Sequence, residues 1–277
     1  MRLTLGHSPD PDDAFMFYAL AAHKIDAEEF EFEHILQDIE TLNQRAERSE
    51  IDITALSVHA YAYLHDRYVL LPHGASMGDG YGPLFVARRP MGVDALRQSR
   101  IAIPGLRTSA YLAARLALGE FEHVVVPFDR IMDHVRSGES DAGLLIHEGQ
   151  LTYADAGFHK VLDLGEWWRD ETDGLPLPLG VNAVRRDLPP EVIRGCVRVL
   201  GASIRYALEN RAPAVQHAMR WGRGLDTSLA DRFIGMYVND LTEDLGERGR
   251  AGIREFLARG VAAGVVPGPV VVEFASA

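Results

Sequence analysis

"SRIAIPGLRTSAYLAARLALGE", Ser99 to Glu120, is the stretch whose reading decides the fold. A short apolar run, Ile101 to Ile103, stops at Pro104–Gly105, and an alanine- and leucine-rich segment with helical spacing begins after Thr108 and Ser109. A strand that turns into a helix within a few residues is half of a β-α-β unit. The free N–H groups of the first helical turn, with two hydroxyls beside them, make such a junction a place where an anion can sit. The same hydroxyls also suit plain helix capping, and the stretch alone leaves both readings open.

Working outward towards the C-terminus, "EHVVVPF" reads as a strand, "DRIMDHVRSGES" as a helix and "AGLLIH" as a strand, which completes a β-α-β-α-β unit. Towards the N-terminus, "RLTLG", "FEFEHIL" and "IDITALS" read as strands. They alternate with helical segments at "AFMFYALAAHKI", "DIETLNQRAERSE" and "VHAYAYLHDRY". Asp12 or Asp13 is expected to cap the first of these helices, and Ser57 to open the third. "HGASMGDGYG", with four glycines in ten residues, reads as loop. "GLPLPLGVNAVRRD" reads as a return strand, because Pro176 and Pro178 forbid helix. After about residue 188 the chain is mostly helical, including "PAVQHAMRWG", and the tail "PGPVVVEFASA" is free to add a strand.

The chain crosses between its halves near residues 84–90 and 180–186. This suggests an α/β fold of two lobes on a two-stranded hinge with a helical C-terminal region. The larger lobe is expected from residues 1–87 and 184–277, the smaller from 88–183, with a ligand cleft between them.

Composition narrows the partners. The 277 residues include 40 acidic and 28 basic side chains, for a net charge of −12, which argues against nucleic acid or an anionic membrane surface as the main partner. No apolar stretch approaches 18 residues, so no membrane insertion is expected. No signal-peptide pattern opens the chain, and a cytoplasmic location is expected. Cys196 is the only cysteine, so there is no intrachain disulfide and no multi-cysteine metal site. The carboxylates of "SPDPDDAF" lack metal-loop spacing, and no metal is expected there. The glycine-rich stretch matches neither a phosphate loop nor a dinucleotide fingerprint, and no GxSxG occurs.

The candidate site residues come from the strand ends. Ser8 and Pro9 follow the first strand, and Ser57 follows "ITAL". Thr108, Ser109 and Ala110 open the helix of the deciding stretch. His147 ends the apolar run Gly143 to Ile146, where a neutral imidazole is a competent base. Glu148 is its sequence neighbour and in an extended segment points to the other face, so the two are not paired.

At this point longer motifs stand out. "GHSPDPDDAFMFYAL", "LQDIETLNQRA", "DRY", "GYGPLFVAR", "PGLRTSAY", "GLLIHEGQLTY", "DLGEWW" and "GLPLPLG" run in order from about residue 5 to residue 187. Together they resemble the 1,4-dihydroxy-6-naphthoate synthase family of the futalosine route to menaquinone. The resemblance implies a two-lobed fold of the type-2 periplasmic-binding-protein kind. It implies a cofactor-independent lyase that converts cyclic dehypoxanthine futalosine, a small-molecule substrate, into 1,4-dihydroxy-6-naphthoate. His147 matches the family's base. Ala55, Leu56, Ser57, Thr108, Ser109 and Ala110 match its substrate contacts. Two departures stand out: "SPDPDD" occupies the place where "SPCPND" is commoner, and Ala55 the place where a lysine can occur. The alternatives are chorismate dehydratase, which shares fold and pathway but not the "IHE" histidine, and a non-catalytic solute-binding protein. The sequence says nothing of oligomeric state.

Overall fold

The structure, a computed structural model, describes residues 1–221 and 226–277. Gly222, the last residue of the expected helical stretch "PAVQHAMRWG", lies outside the described residues. The strands, in chain order, are β1 (Arg2–His7), β2 (Glu31–Leu36), β3 (Ile53–Ser57), β4 (Tyr68–Leu70), β5 (Ser76–Gly78), β6 (Leu84–Ala87), β7 (Ile101–Ile103), β8 (His123–Val125), β9 (Ala142–Leu145), β10 (His159–Asp163) and β11 (Leu177–Arg185).

They form two sheets. The first runs β2-β1-β3-β11-β4, with β5 on the far half of β11, and β1 is parallel to both β2 and β3. The second runs β10-β6-β9-β7-β8, with β7 parallel to β8 and β9. The chain changes sheet between β5 and β6 and again between β10 and β11. An apolar strand pattern shows that a segment is buried, but not which sheet it joins.

Other local details differ. The segment after β1 is two short helices, Pro11–Met16 and Tyr18–Ala21, broken at Phe17. Its N-cap is Asp10, not Asp12 or Asp13, which lie in the first turn. After Ser57 only one turn of helix forms, Val58–Tyr61, and Tyr68 already belongs to β4. The glycine-rich segment contains β5, because β11 offers it an antiparallel edge. The C-terminal tail contributes only an isolated bridge, Leu70 to Phe274.

The helix Gly246–Ala262 ties the halves together. Its Phe256 and Leu257 belong to a core that takes Leu56, Tyr61 and Met77 from the first half and Phe85, Ile101, Leu112 and Trp168 from the second. Trp168 is fully buried, donates from Nε1 to the Pro176 carbonyl at 3.1 Å and meets Phe256 edge to face at 5.3 Å. The long helix Pro190–Glu209 covers the other face of the first sheet, where Leu3, Leu5 and Phe15 are buried. No helix among the described residues is long and apolar enough to cross a membrane.

Candidate active site

Parallel strands β1, β3, β7 and β9 all end at one cleft with an empty volume of about 740 Å³. Ser8, Ala55, Ser57, Thr108, Ser109, Ala110 and His147 line it together. Leu56 does not: neighbouring strand residues face opposite ways, so Ala55 and Ser57 look into the cleft while Leu56 is buried in the core behind. Pro9 is half-buried and is not part of the lining either.

At the deciding stretch, Thr108 is the N-cap of the helix Ser109–Leu118. Its Oγ1 accepts from the Tyr111 N–H at 3.2 Å and donates to the Gly105 carbonyl at 2.8 Å. Ser109 Oγ donates to the Leu179 carbonyl at 2.5 Å and accepts from the His59 N–H at 3.3 Å. Both hydroxyls are thus occupied, that of Thr108 within its own turn and that of Ser109 in holding the helix start against the first sheet. What this junction offers the cleft is the positive end of a ten-residue helix and the N–H groups of its first turn. Gly105 sits so near the other lobe that an added Cβ would stand 2.5 Å from Glu40 Oε2. Arg107 then reaches Glu47 at 2.9 Å and stacks over the Tyr63 ring at 3.8 Å.

Ser57 is set differently. Its Oγ accepts from Asn43 Nδ2 at 3.1 Å, and its N–H donates to Asn43 Oδ1 at 3.0 Å. An oxygen that already accepts leaves its own hydrogen free to turn into the cleft.

His147 does not lie on a strand. β9 ends at Leu145, and His147 follows in a turn with φ +59°, a left-handed conformation that a non-glycine residue seldom adopts. Its ring meets Phe128 edge to face at 4.6 Å, and its Nδ1 lies 3.2 Å from Asp10 Oδ2. The Gln150 amide, in the orientation that satisfies both its ends, accepts from the His147 N–H at 3.2 Å and donates to the Gly82 carbonyl at 2.6 Å. Tyr237 is hydrogen-bonded to the same amide.

The floor is acidic. Asp13 Oδ2 accepts from the Ser8 N–H at 2.6 Å, yet burial pushes its carboxyl up to about 6. Asp12 is raised well above the ordinary carboxylate range by burial, then by Asp13 and Asp10. His7, beneath, is lowered to about 3 by burial and by His34, whose Nδ1 is 2.9 Å away. Among the described residues neither Lys nor Arg lines the cleft, and the helix start supplies positive potential there. Among the described residues, no three His, Cys, Asp or Glu side chains converge to hold a metal ion.

Several lining residues carry no sequence signal. Asn182, on β11, points an Oδ1 without a partner among the described residues, while its Nδ2 donates to the Gly74 carbonyl at 3.2 Å. Gly74 is required there: its φ is +79°, and a Cβ would lie 2.1 Å from Asn182 Nδ2. Gln150 reaches the cleft from the turn of helix Gly149–Thr152, and Phe233 and Tyr237 reach it from the helix Thr227–Tyr237. Nothing in their local patterns marks them, since only the fold brings them together.

Comparison with known proteins gives this geometry a family. Residues 3–262 match the model of a menaquinone-biosynthesis family. A 1,4-dihydroxy-6-naphthoate synthase from Thermus thermophilus is 40% identical over 96% of this chain and 97% of its own. One from Streptomyces coelicolor is 39% identical over 96% and 95%. The crystal structure of protein AF1704 from Archaeoglobus fulgidus superposes with a TM-score of 0.92 at 48% identity, covering 96% of this chain and 98% of that one. The alkanesulfonate-binding protein SsuA from Xanthomonas axonopodis shares the fold alone, with a TM-score of 0.70 at 13% identity over 98% and 96% of the two chains. The two-lobed α/β architecture is therefore that of the periplasmic binding proteins, and the chain belongs to the menaquinone-biosynthesis family.

Proposed function

We propose that this chain is a carbon–carbon lyase that converts cyclic dehypoxanthine futalosine into 1,4-dihydroxy-6-naphthoate, with His147 as general base. The observation that carries the reading is the His147 imidazole just beyond β9, lining one cleft together with the start of the helix Ser109–Leu118. In this reading the substrate carboxylate lies against the first-turn N–H groups of Ser109 and Ala110, and the Ser57 hydroxyl donates to it. A helix N-terminus offers up to about 2 kcal/mol to an anion in partly buried geometry. His147 then takes the proton of a sugar hydroxyl. The oxygen's electrons form a carbonyl as the carbon–carbon bond breaks. The released pair enters the ring that becomes aromatic, and the imidazolium returns its proton. A positioned general base contributes about 10²–10⁴-fold.

A cytoplasmic setting, a small-molecule substrate without nucleic-acid partners, and closure of the lobes over the ligand belong to the same proposal. The test is incubation of the pure protein with cyclic dehypoxanthine futalosine, with detection of the naphthoate by mass. His147→Asn is expected to lower kcat by roughly 10²–10⁴-fold with binding retained. Turnover of that variant at the parent rate removes His147 from the chemistry. A parent enzyme that yields no naphthoate removes the activity.

A further inference from the structure

We infer that Asp10 is the positioning residue of His147. Its buried carboxylate accepts a hydrogen bond from Nδ1–H and fixes the ring in the tautomer whose Nε2 is bare and directed at the substrate. The catalytic consequence rests on the reading of His147 as the base, but the tautomer does not.

Four features of the site carry the inference. Oδ2 of Asp10 is 3.2 Å from Nδ1, and the Asp10 side chain is only 2% exposed. A carboxylate cannot donate, so at this distance the proton of the pair sits on the ring nitrogen. Asp10 also occupies the N-cap position of the helix Pro11–Met16 with extended backbone, yet its side chain makes no capping hydrogen bond. Capping is the ordinary use of an aspartate there. This one is turned away from the helix and towards the ring.

The ring is brought to it by a backbone that does not come free. His147 adopts φ +59°, and such a conformation in a residue other than glycine costs on the order of 1 kcal/mol or more, persisting where the surroundings over-determine it. Phe128 on one edge of the ring and Gln150 on the backbone N–H supply that determination.

Direction follows from placement. His147 lines the cleft and Asp10 does not, so Nδ1 faces the protein and the opposite nitrogen, Nε2, faces the cavity. In a neutral histidine side chain free of partners the proton favours Nε2, which would leave the cleft-facing nitrogen unable to accept. A carboxylate on Nδ1 reverses that choice and orients the ring, as carboxylates do behind the histidines of hydrolytic triads and metal sites. Asp12 and Asp13 lie close by but do not replace it. Burial raises the first well above the ordinary carboxylate range, and the second is engaged by the Ser8 N–H.

The experiment reads the ring nitrogens directly. The full chain is labelled with ¹⁵N-histidine, and the His147 resonances are identified as those missing from His147→Asn. Their shifts, recorded at neutral pH, are expected to show a protonated Nδ1 and a bare Nε2. In Asp10→Ala the same ring is expected to revert to the Nε2–H form, and kcat to fall roughly 10–100-fold with KM little changed. Asp10→Asn, whose carbonyl oxygen still accepts from Nδ1–H, should restore the tautomer and part of the rate. Added to His147→Asn, Asp10→Ala should cost nothing further. A parent His147 protonated on Nε2 overturns the inference, as does an Asp10→Ala protein with unaltered tautomer. If His147→Asn turns over at the parent rate while the tautomer is as stated, the base assignment fails and the Asp10 pairing stands. Should the alanine variant not fold, the parent spectrum and the asparagine variant decide alone.

Discussion

Replacing Asp13 by asparagine should stabilise the protein at neutral pH and not in acid. The Asp13 carboxyl is 8% exposed and accepts the Ser8 N–H, but burial outweighs that bond and raises it from 3.8 to about 6. A carboxyl raised on folding is bound to its proton more tightly in the native state. Native stability is therefore unaffected below about pH 4, falls as pH rises from about 4 to about 6, and stays reduced above. At about 1.4 kcal/mol per pH unit the reduction is about 3 kcal/mol. Asn removes it. Its carbonyl oxygen still accepts from Ser8, though a neutral acceptor is roughly half as strong as a charged one, which returns about 1 kcal/mol. The net expectation is a gain of about 2 kcal/mol at pH 7.5, or roughly 4–8 °C in Tm for a chain of this size. Near pH 4 the two proteins should be equal, or the variant slightly weaker. Burial of neutral His7 and His59 also bends the pH profile, but both proteins share it, so it cancels in the difference. Neutralising Asp13 also eases Asp12, on which it is the second-largest upward influence, and this acts in the same direction. Urea unfolding followed by circular dichroism at pH 4 and 7.5 measures the difference. A gain of equal size at both pH values, or a loss at pH 7.5, would refute the reasoning.

Asp12→Asn should leave kcat/KM within about tenfold of the parent, since burial disfavours the ionised carboxyl and an amide differs from the protonated form by little more than the ~1.4 kcal/mol that factor represents; steady-state kinetics showing a far larger loss would mean that the ionised form is used. Thr108→Ala should lower stability by about 1 kcal/mol through loss of the cap to Tyr111, read as a fall in urea midpoint, and no change would make the cap idle. Arg107→Ala removes the ion pair with Glu47 and the stacking on Tyr63 that join the lobes. Small-angle scattering should show a larger radius of gyration for that variant without ligand, and profiles identical to the parent would count against an opening motion.

How much of this was legible in the sequence follows from what each feature depends on. The deciding stretch was read correctly as strand, turn and helix because its signals are local: a three-residue apolar run, Pro–Gly, and a threonine that does cap the helix. The strand-end rule then placed Ser8, Ser57, Thr108, Ser109 and His147 around one cleft from chain order alone. Leu56, implied as a contact by the resemblance alone, is turned into the core by the alternation along β3. Asp10 stands in the sequence only as one of the carboxylates of "SPDPDDAF", without metal-loop spacing. Its significance lies in a contact across 137 residues of chain, for which no local pattern exists. Asn182 and Tyr237 were missed for the same reason, and β5 because four glycines suppress every strand signal while β11 supplies the pairing edge.

His147 shows most clearly where pattern reading stops. Along β9 the side chains alternate: Leu144 enters the core shared with the helix Gly246–Ala262, and Leu145 enters the smaller cluster with Ile131, Val135 and Phe158. Had the strand simply continued, as the apolar run through Ile146 suggests, residue 147 would share the face of Leu145 and carry its imidazole into that apolar cluster. A buried unpaired imidazole there would cost stability and serve no ligand. The left-handed residue breaks the alternation and swings the ring out to Asp10 and the cleft. This also selects the replacement that tests the ring. Asparagine tolerates positive φ better than most residues, so His147→Asn keeps the turn. A β-branched or bulky substitute would add backbone strain to the loss of the imidazole. A fall in rate for the asparagine variant, with thermal stability retained, therefore reports the chemistry of the ring and not the collapse of the turn that carries it.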